Sequence, residues 1–175
     1  MTELIQETAD DIQYLESISN ALDIALNEAD LAQIKEELMQ SGYIRRKHTK
    51  KKVKLTSKPM HYISSDGYDM YVGKNNLQNE ELTFSFANGN DWWFHAKGAP
   101  GSHVIVKSGG DELPDRTFEE AGRLAAYYSK NRGADKVEID YIQKKHVKKP
   151  NWGKAGITLF TIQTILWSLT PIFQI

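Results

Sequence analysis

Asp91-Trp92-Trp93-Phe94-His95-Ala96-Lys97-Gly98-Ala99-Pro100-Gly101-Ser102-His103-Val104-Ile105-Val106-Lys107 gathers two tryptophans, two histidines and two lysines around a Gly/Pro turn. With period two, Asp91, Trp93, His95 and Lys97 fall on one face of a strand and Trp92, Phe94 and Ala96 on the other. Gly98 to Gly101 turn the chain and a second alternating arm follows, so the segment predicts a β-hairpin with an apolar side and a side of charge, imidazole and indole. A four-residue turn sets Lys97 opposite Ser102 and His95 opposite Val104, which sends His103 to the other face. A one-residue bulge would bring the two histidines back to one face.

Outward from the hairpin the elements alternate. Met60 to Ser64 and Tyr68 to Val72 are β-rich and flank the turn residues Ser65-Asp66-Gly67, which predicts a strand pair. Asn75 to Phe86 reads as a short helix and loop leading into the hairpin. Thr117-Phe118-Glu119-Glu120 has the form of a capping box, opening a helix with Phe118, Ala121, Leu124, Ala125 and Tyr128 on one face and its end near Gly133. Lys136 to Ile142 alternates again. Strands on both sides of a long helix in this order predict an α+β domain with a largely antiparallel sheet.

The formal net charge of −1 conceals segregated signs. Residues 1–42 hold ten acidic residues and one basic residue, Lys35, leaving residues 43–175 with a net charge of +8. The acidic part carries apolar residues at helical spacing: Ile5, Ala9, Ile12, Leu15, Ile18, Leu22 and Ala25, then Leu31, Ile34 and Leu38. So narrow a stripe reads as the end of a coiled coil or as a helical hairpin broken between Asn27 and Asp30, and an amphipathic helix packed on its own domain stays open as a third form. Two domains are expected: a helical arm over 1–42 and an α+β domain over 43–175, within which 156–175 is an atypical tail. Gly156 to Ile175 carries no charge, but Thr, Gln, Ser and Pro171 interrupt it, which favours strands or an altered tail over a membrane span. With no cysteine, disulfides and thiolate metal sites are excluded, which fits a reducing compartment.

Catalysis would begin with His95, His103 and Asp91. In the simple register they do not converge, and no metal-ligand spacing, nucleophile elbow or phosphate loop occurs elsewhere. No cofactor is expected, and binding is the stronger reading. Trp93, His95 and Lys97, joined by Lys74, make an aromatic and cationic surface suited to RNA, where rings stack on bases and lysines track phosphates. For Trp93 a core role weighs equally. Two basic runs add electrostatic attraction: Arg45 to Lys54, including Lys50, Lys51 and Lys52, and Lys144-Lys145-His146-Val147-Lys148-Lys149. The first run can also be a solvated linker between arm and domain.

Tyr71-Val72-Gly73-Lys74-Asn75-Asn76-Leu77-Gln78-Asn79-Glu80-Glu81-Leu82-Thr83, the hairpin, Glu120-Ala121 with Ala125-Ala126-Tyr127-Tyr128-Ser129-Lys130, and Val147-Lys148-Lys149-Pro150 occur in an order that resembles the NFACT-R domain. That domain is the C-terminal RNA-binding module of the RqcH and NEMF family, known in Gram-positive bacteria also as FbpA- or PavA-type fibronectin-binding proteins. The match runs over residues 43–154, and the acidic helices resemble the end of the family's central coiled coil. The resemblance implies a non-enzymatic piece of a ribosome-associated quality-control factor that binds stalled large-subunit nascent-chain complexes. Its implied partners are large-subunit RNA or tRNA and a coiled-coil partner helix, its implied location is cytoplasmic, and Asn75, Asn76, Ser102 and His103 join the candidate contacts. The family's surface-adhesin label implies fibronectin as the alternative partner. After Lys148-Lys149-Pro150 the family usually continues with Gly-Ala-Lys-Pro-Gly and a polar hairpin, whereas Ile157 to Ile175 departs from that pattern.

Overall fold

The computed structural model describes residues 2–45 and 56–149, together with the backbone of two short strands at 159–160 and 163–168. Helices α1 (Thr2–Ile24) and α2 (Glu28–Gln40) come first. Strands β1 (Met60–Ile63) and β2 (Asp69–Val72) follow, then α3 (Asn76–Glu81), which runs straight into a π-helical turn (Leu82–Phe86). Strands β3 (Trp92–Ala96) and β4 (Val104–Val106), helix α4 (Asp115–Tyr127) and strand β5 (Lys136–Gln143) build the centre. A 3-10 turn (Lys144–His146) leads to β6 (Val147–Lys148), and β7 (Leu159–Phe160) and β8 (Gln163–Ser168) close the order.

The main sheet runs β1-β2-β4-β3-β5-β8 with antiparallel neighbours, and β6 pairs with β7 in a small second sheet. The α+β class, the β1–β2 hairpin and the antiparallel sheet follow the sequence pattern. Strand alternation divides the core between two faces. Met70, Val72, Phe94, Ala96, Val104, Val106, Val137 and Ile139 face α4, which answers with Ala121, Ala125 and Ala126. Trp93, Ile105 and Ile142 face the other way and are covered by Leu82, Ala87 and Val147. The π-helical turn, closed by Ala87 N–H to Leu82 O at 2.9 Å, brings Leu82 and Ala87 onto this second face.

Three local expectations need correction. The helix expected from Thr117 to near Gly133 begins at Asp115 after Pro114 and ends at Tyr127. Thr117 Oγ1 donates instead towards Ser64 Oγ and Asp66 Oδ2, and Glu120 accepts from the Ser65 N–H and hydroxyl, so both tie α4 to the β1–β2 turn. Side-chain capping occurs at α2, where the N-cap Asn27 Oδ1 accepts from Asp30 N–H, and Asp30 Oδ2 accepts from Leu26 N–H just before the cap. The arm is a helical hairpin with a small core of Tyr14, Ile18, Ala21 and Ile34. That core keeps Ile18 and Ile34 of the expected stripe, with Ala25 and Leu38 packed on it, and adds Tyr14 and Ala21, while Ile5, Ile12, Leu15, Leu22 and Leu31 remain exposed. The third correction is the register of the central hairpin.

Candidate nucleic-acid interface

The hairpin pairs Trp92 with Val106, Trp93 with Ile105 and Phe94 with Val104. This is one residue away from the simple-turn register. The cause lies in the connection, because residues 97–103 are drawn onto the end of α4: Gly101 bridges Ser129, Ser102 N–H donates to Tyr128 O at 3.0 Å, and Lys130 N–H donates to Pro100 O at 2.8 Å. His95 and His103 therefore share a face with their ring centroids 5.3 Å apart, and Trp93 packs on both. His103 is buried, its Nδ1 within 2.8 Å of Thr83 Oγ1 and its backbone N–H donated to Asn79 Oδ1 at 2.9 Å.

Burial lowers the His95 pKa to about 4, against a smaller opposing hydrogen bond with the Gly101 backbone. Burial also holds His103 well below the ordinary histidine value, with the neighbouring His95 adding to the effect. Both rings are neutral at physiological pH. The cleft beside them, between α1 and the Ala99–Gly101 turn, has a volume of only about 50 Å³. That is room for a water or two and far too little for a nucleotide. Among the described residues no three His, Asp or Glu side chains gather as metal ligands would.

Trp93 is fully buried and belongs to the core of the second face. Lys74, Asn75 and Asn76 are also inside, because α2 lies against them. Lys74 is 6% exposed and its Nζ donates to Asp30 Oδ1 at 2.5 Å. Burial works to raise the Asp30 carboxyl, but hydrogen bonds from Lys74, Ser57 and the Leu26 N–H outweigh it and hold its pKa below the usual value. Asn75 Nδ2 donates to Gln33 Oε1 at 2.8 Å, and Asn76 Nδ2 donates to Ser17 Oγ and to Glu37 Oε1 at 2.7 and 2.8 Å. Burial raises the pKa of Glu37, against opposing hydrogen bonds with Asn76 and Tyr14. These residues join arm to domain, as Ser102 joins the hairpin turn to α4.

The exposed candidates divide in two. Lys97 pairs with Glu138 at 3.2 Å. In the 3-10 turn and β6, Lys145, His146, Lys148 and Lys149 are exposed and Lys144 is half-buried. Lys149 pairs with Glu80, whereas among the described residues no acidic side chain forms an ion pair with Lys144, Lys145 or Lys148. Backbone bonds from Lys144 N–H to Asp91 O and from Lys145 N–H to Gly89 O hold this segment against the loop before β3. Lys50, Lys51 and Lys52 lie outside the described residues, so the meeting of the two basic runs does too.

Sequence reasoning passed over a row of rings on the outer part of the Trp93 face. His61 stacks on Tyr71 with centroids 4.7 Å apart, and Tyr71 meets Phe86 edge-on at 4.7 Å. A signal was present, since pairing β1 with β2 across the Ser65–Gly67 turn sets His61 opposite Tyr71. Phe86 is brought there by the π-helical turn, which nothing in the sequence marks.

Residues 58–158 match the family model described as the NFACT protein RNA binding domain, and residues 1–57 match that of the NFACT N-terminal and middle domains. The chain is 45% identical over 172 residues to the Rqc2 homolog RqcH of Streptococcus pneumoniae serotype 2, which covers 98% of this chain and 30% of that protein. It is 38% identical over 174 residues to the Rqc2 homolog RqcH of Bacillus subtilis, covering 97% of this chain and again 30% of the relative. The chain thus spans under a third of the length of these curated relatives. Among solved structures it is similar to the C-terminal part of the fibronectin/fibrinogen-binding protein from Streptococcus suis, with a TM-score of 0.87 and 41% identity, over 97% of this chain and 68% of that one.

Proposed function

This chain belongs to the NFACT family, with the Rqc2 homolog RqcH proteins among its relatives, and from that membership we propose that it is the RNA-contacting part of a ribosome-associated quality-control factor. In this reading it binds ribosomal or transfer RNA on large subunits that carry a stalled nascent chain. The observation that carries the reading is the basic segment from Lys144 to Lys149, where half-buried Lys144 and exposed Lys145 and Lys148 have no acidic ion-pair partner among the described residues. Lysines without an acidic partner are free to neutralise phosphates and release counterions. The exposed stripe of Ile5, Ile12, Leu15 and Leu22 supports a further helix packing on the arm in a longer protein. A cytoplasmic location accompanies this role, and among the described residues no helix is long and apolar enough to cross a membrane.

The test is binding of the purified protein to large ribosomal subunits across a salt series. Replacing Lys144, Lys145 and Lys148 with Ala should weaken binding and flatten the log–log salt dependence by about one per lost phosphate contact. Unchanged affinity and slope would remove this segment from the interface. Lys50 to Lys52 and Lys97 enter the same experiment as further contacts, Lys97 with a smaller expected effect because Glu138 already pairs with it.

A second reading is fibronectin binding, supported by the name of the Streptococcus suis protein and by β1, which among the described residues pairs with β2 alone and presents Ile63 with 66% of its surface exposed. An open edge can accept an added strand. Immobilised fibronectin and large subunits, offered at matched salt, separate the two readings by which one retains the protein.

A further inference from the structure

We propose that His61, Tyr71 and Phe86 form a stacking platform for bases of single-stranded RNA, continuous with the cationic segment at Lys144 and Lys145. The proposal rests on the RNA-binding reading above and gives it a site that reads bases as well as phosphates. His61 and Tyr71 lie on the sheet face that carries Trp93 and Ile105, and Phe86 reaches Tyr71 from the π-helical turn. His61 is 45% exposed in its side chain and Phe86 is 41% exposed, so each offers ring surface to solvent.

Each ring is held before any ligand arrives. His61 Nε2 lies 2.6 Å from Asp69 Oδ1 while its ring stacks on Tyr71. Phe86 meets Tyr71 edge-on, and Lys107 Nζ sits 4.8 Å from the Phe86 centroid while bonded to Asp91 Oδ2 at 2.5 Å. Lys107 is therefore a brace, its charge matched by a buried carboxylate, and phosphates must be met elsewhere. Lys144 and Lys145 meet that need, because their backbones are tied to Asp91 and Gly89 in the loop that leaves Phe86. Fixed aromatic faces beside unpaired lysines suit a strand of nucleotides, since every base has a π face and every linkage a charge. A purely apolar protein partner would make no use of those cations.

The experiment titrates the full chain with a short single-stranded oligoadenylate carrying one fluorescent adenine analogue, reading affinity and stacking quench over a salt series. Phe86→Ala and His61→Ala should each lower affinity on the order of tenfold and diminish the quench, with the salt slope unchanged because stacking releases no counterions. Phe86→Trp should preserve both, and Lys144→Ala with Lys145→Ala should flatten the slope. Phe86→Leu keeps an apolar contact with Tyr71 and should show the same loss of quench if folding is intact, while His61 is exposed enough to replace safely. Wild-type affinity and quench in Phe86→Leu and His61→Ala, with the lysine-dependent slope intact, would overturn the platform and leave the RNA reading standing. No binding by the unaltered chain to this probe or to ribosomal subunits would sink both. If the ring variants lose fibronectin and keep RNA, the face is a protein-docking surface and the platform is wrong.

Discussion

His95 and His103 face each other where a charged imidazole would lose its hydration and meet a second imidazole in place of a counter-ion. Their neutrality turns a suspected acid–base pair into a pH-dependent element of stability. The folded pKa of His95 is about 4, below its unfolded value of about 6.5, so between these limits the unfolded chain binds more protons. Stability should be full at about pH 7 and fall as pH drops towards about 4, with His103 acting in the same direction. Glu37, raised by burial, works oppositely above the ordinary glutamate range, where the folded state holds the extra proton. Denaturant titrations at about pH 7 and about pH 5 should differ by roughly 2 kcal/mol from His95 alone. His95→Gln should remove that part of the loss, and a profile equally steep with glutamine would show that His95 does not cause it.

Helix α3 and its π-helical turn organise the elements around them. Asn75 caps α3 by accepting from Gln78 N–H, while Gln78 Oε1 accepts from Lys74 N–H. Asn79 reaches across to the hairpin connection, accepting from His103 N–H and donating to Gly101 O at 3.2 Å. Gly73 leaves room for that reach, because a Cβ at this position would run into Asn79 Oδ1. Gly73→Ala should displace Asn79, release His103 N–H inside the protein and cost about 1–3 kcal/mol. Thermal melting measures the loss, and an unchanged melting temperature would show that Asn79 can move without penalty. This cross-element hydrogen bonding is also why strand parity was legible in the hairpin while its register was not. Alternation belongs to the strand itself, whereas register depended on α3 and the end of α4 pulling residues 97–103 aside.

At the scale of the whole molecule, an acidic helical hairpin is joined to a basic domain through buried polar contacts. Asp30–Lys74, Gln33–Asn75 and Glu37–Asn76 carry the junction, beside an arm core of a few side chains. So small a core should open before the two-faced sheet does. Hydrogen exchange should show α1 and α2 amides exchanging ahead of those in β3 and β4. Asp30→Ala leaves Lys74 charged and unpaired and should destabilise the junction by about 3–5 kcal/mol, whereas Asp30→Leu with Lys74→Met should recover much of it. Arm and sheet amides exchanging together would mean the two form one cooperative unit.

The α+β class, the strand pair, the apolar face of α4 and the segregation of charge were legible from the order of residues, because periodicity and composition are local properties of a chain. Which polar residues meet solvent was not. Asn76 is satisfied by Glu37, 39 positions earlier, and Lys74 by Asp30, 44 positions earlier. Trp93 is sealed by a helical turn whose fit on that face no pattern announces. Asp91 to Lys107 declares itself a two-faced hairpin wherever it is read, but only the packing of distant segments turned its indole and imidazoles inward and left His61 and Phe86 exposed beside half-buried Tyr71. Burial is set by what arrives from elsewhere in the chain.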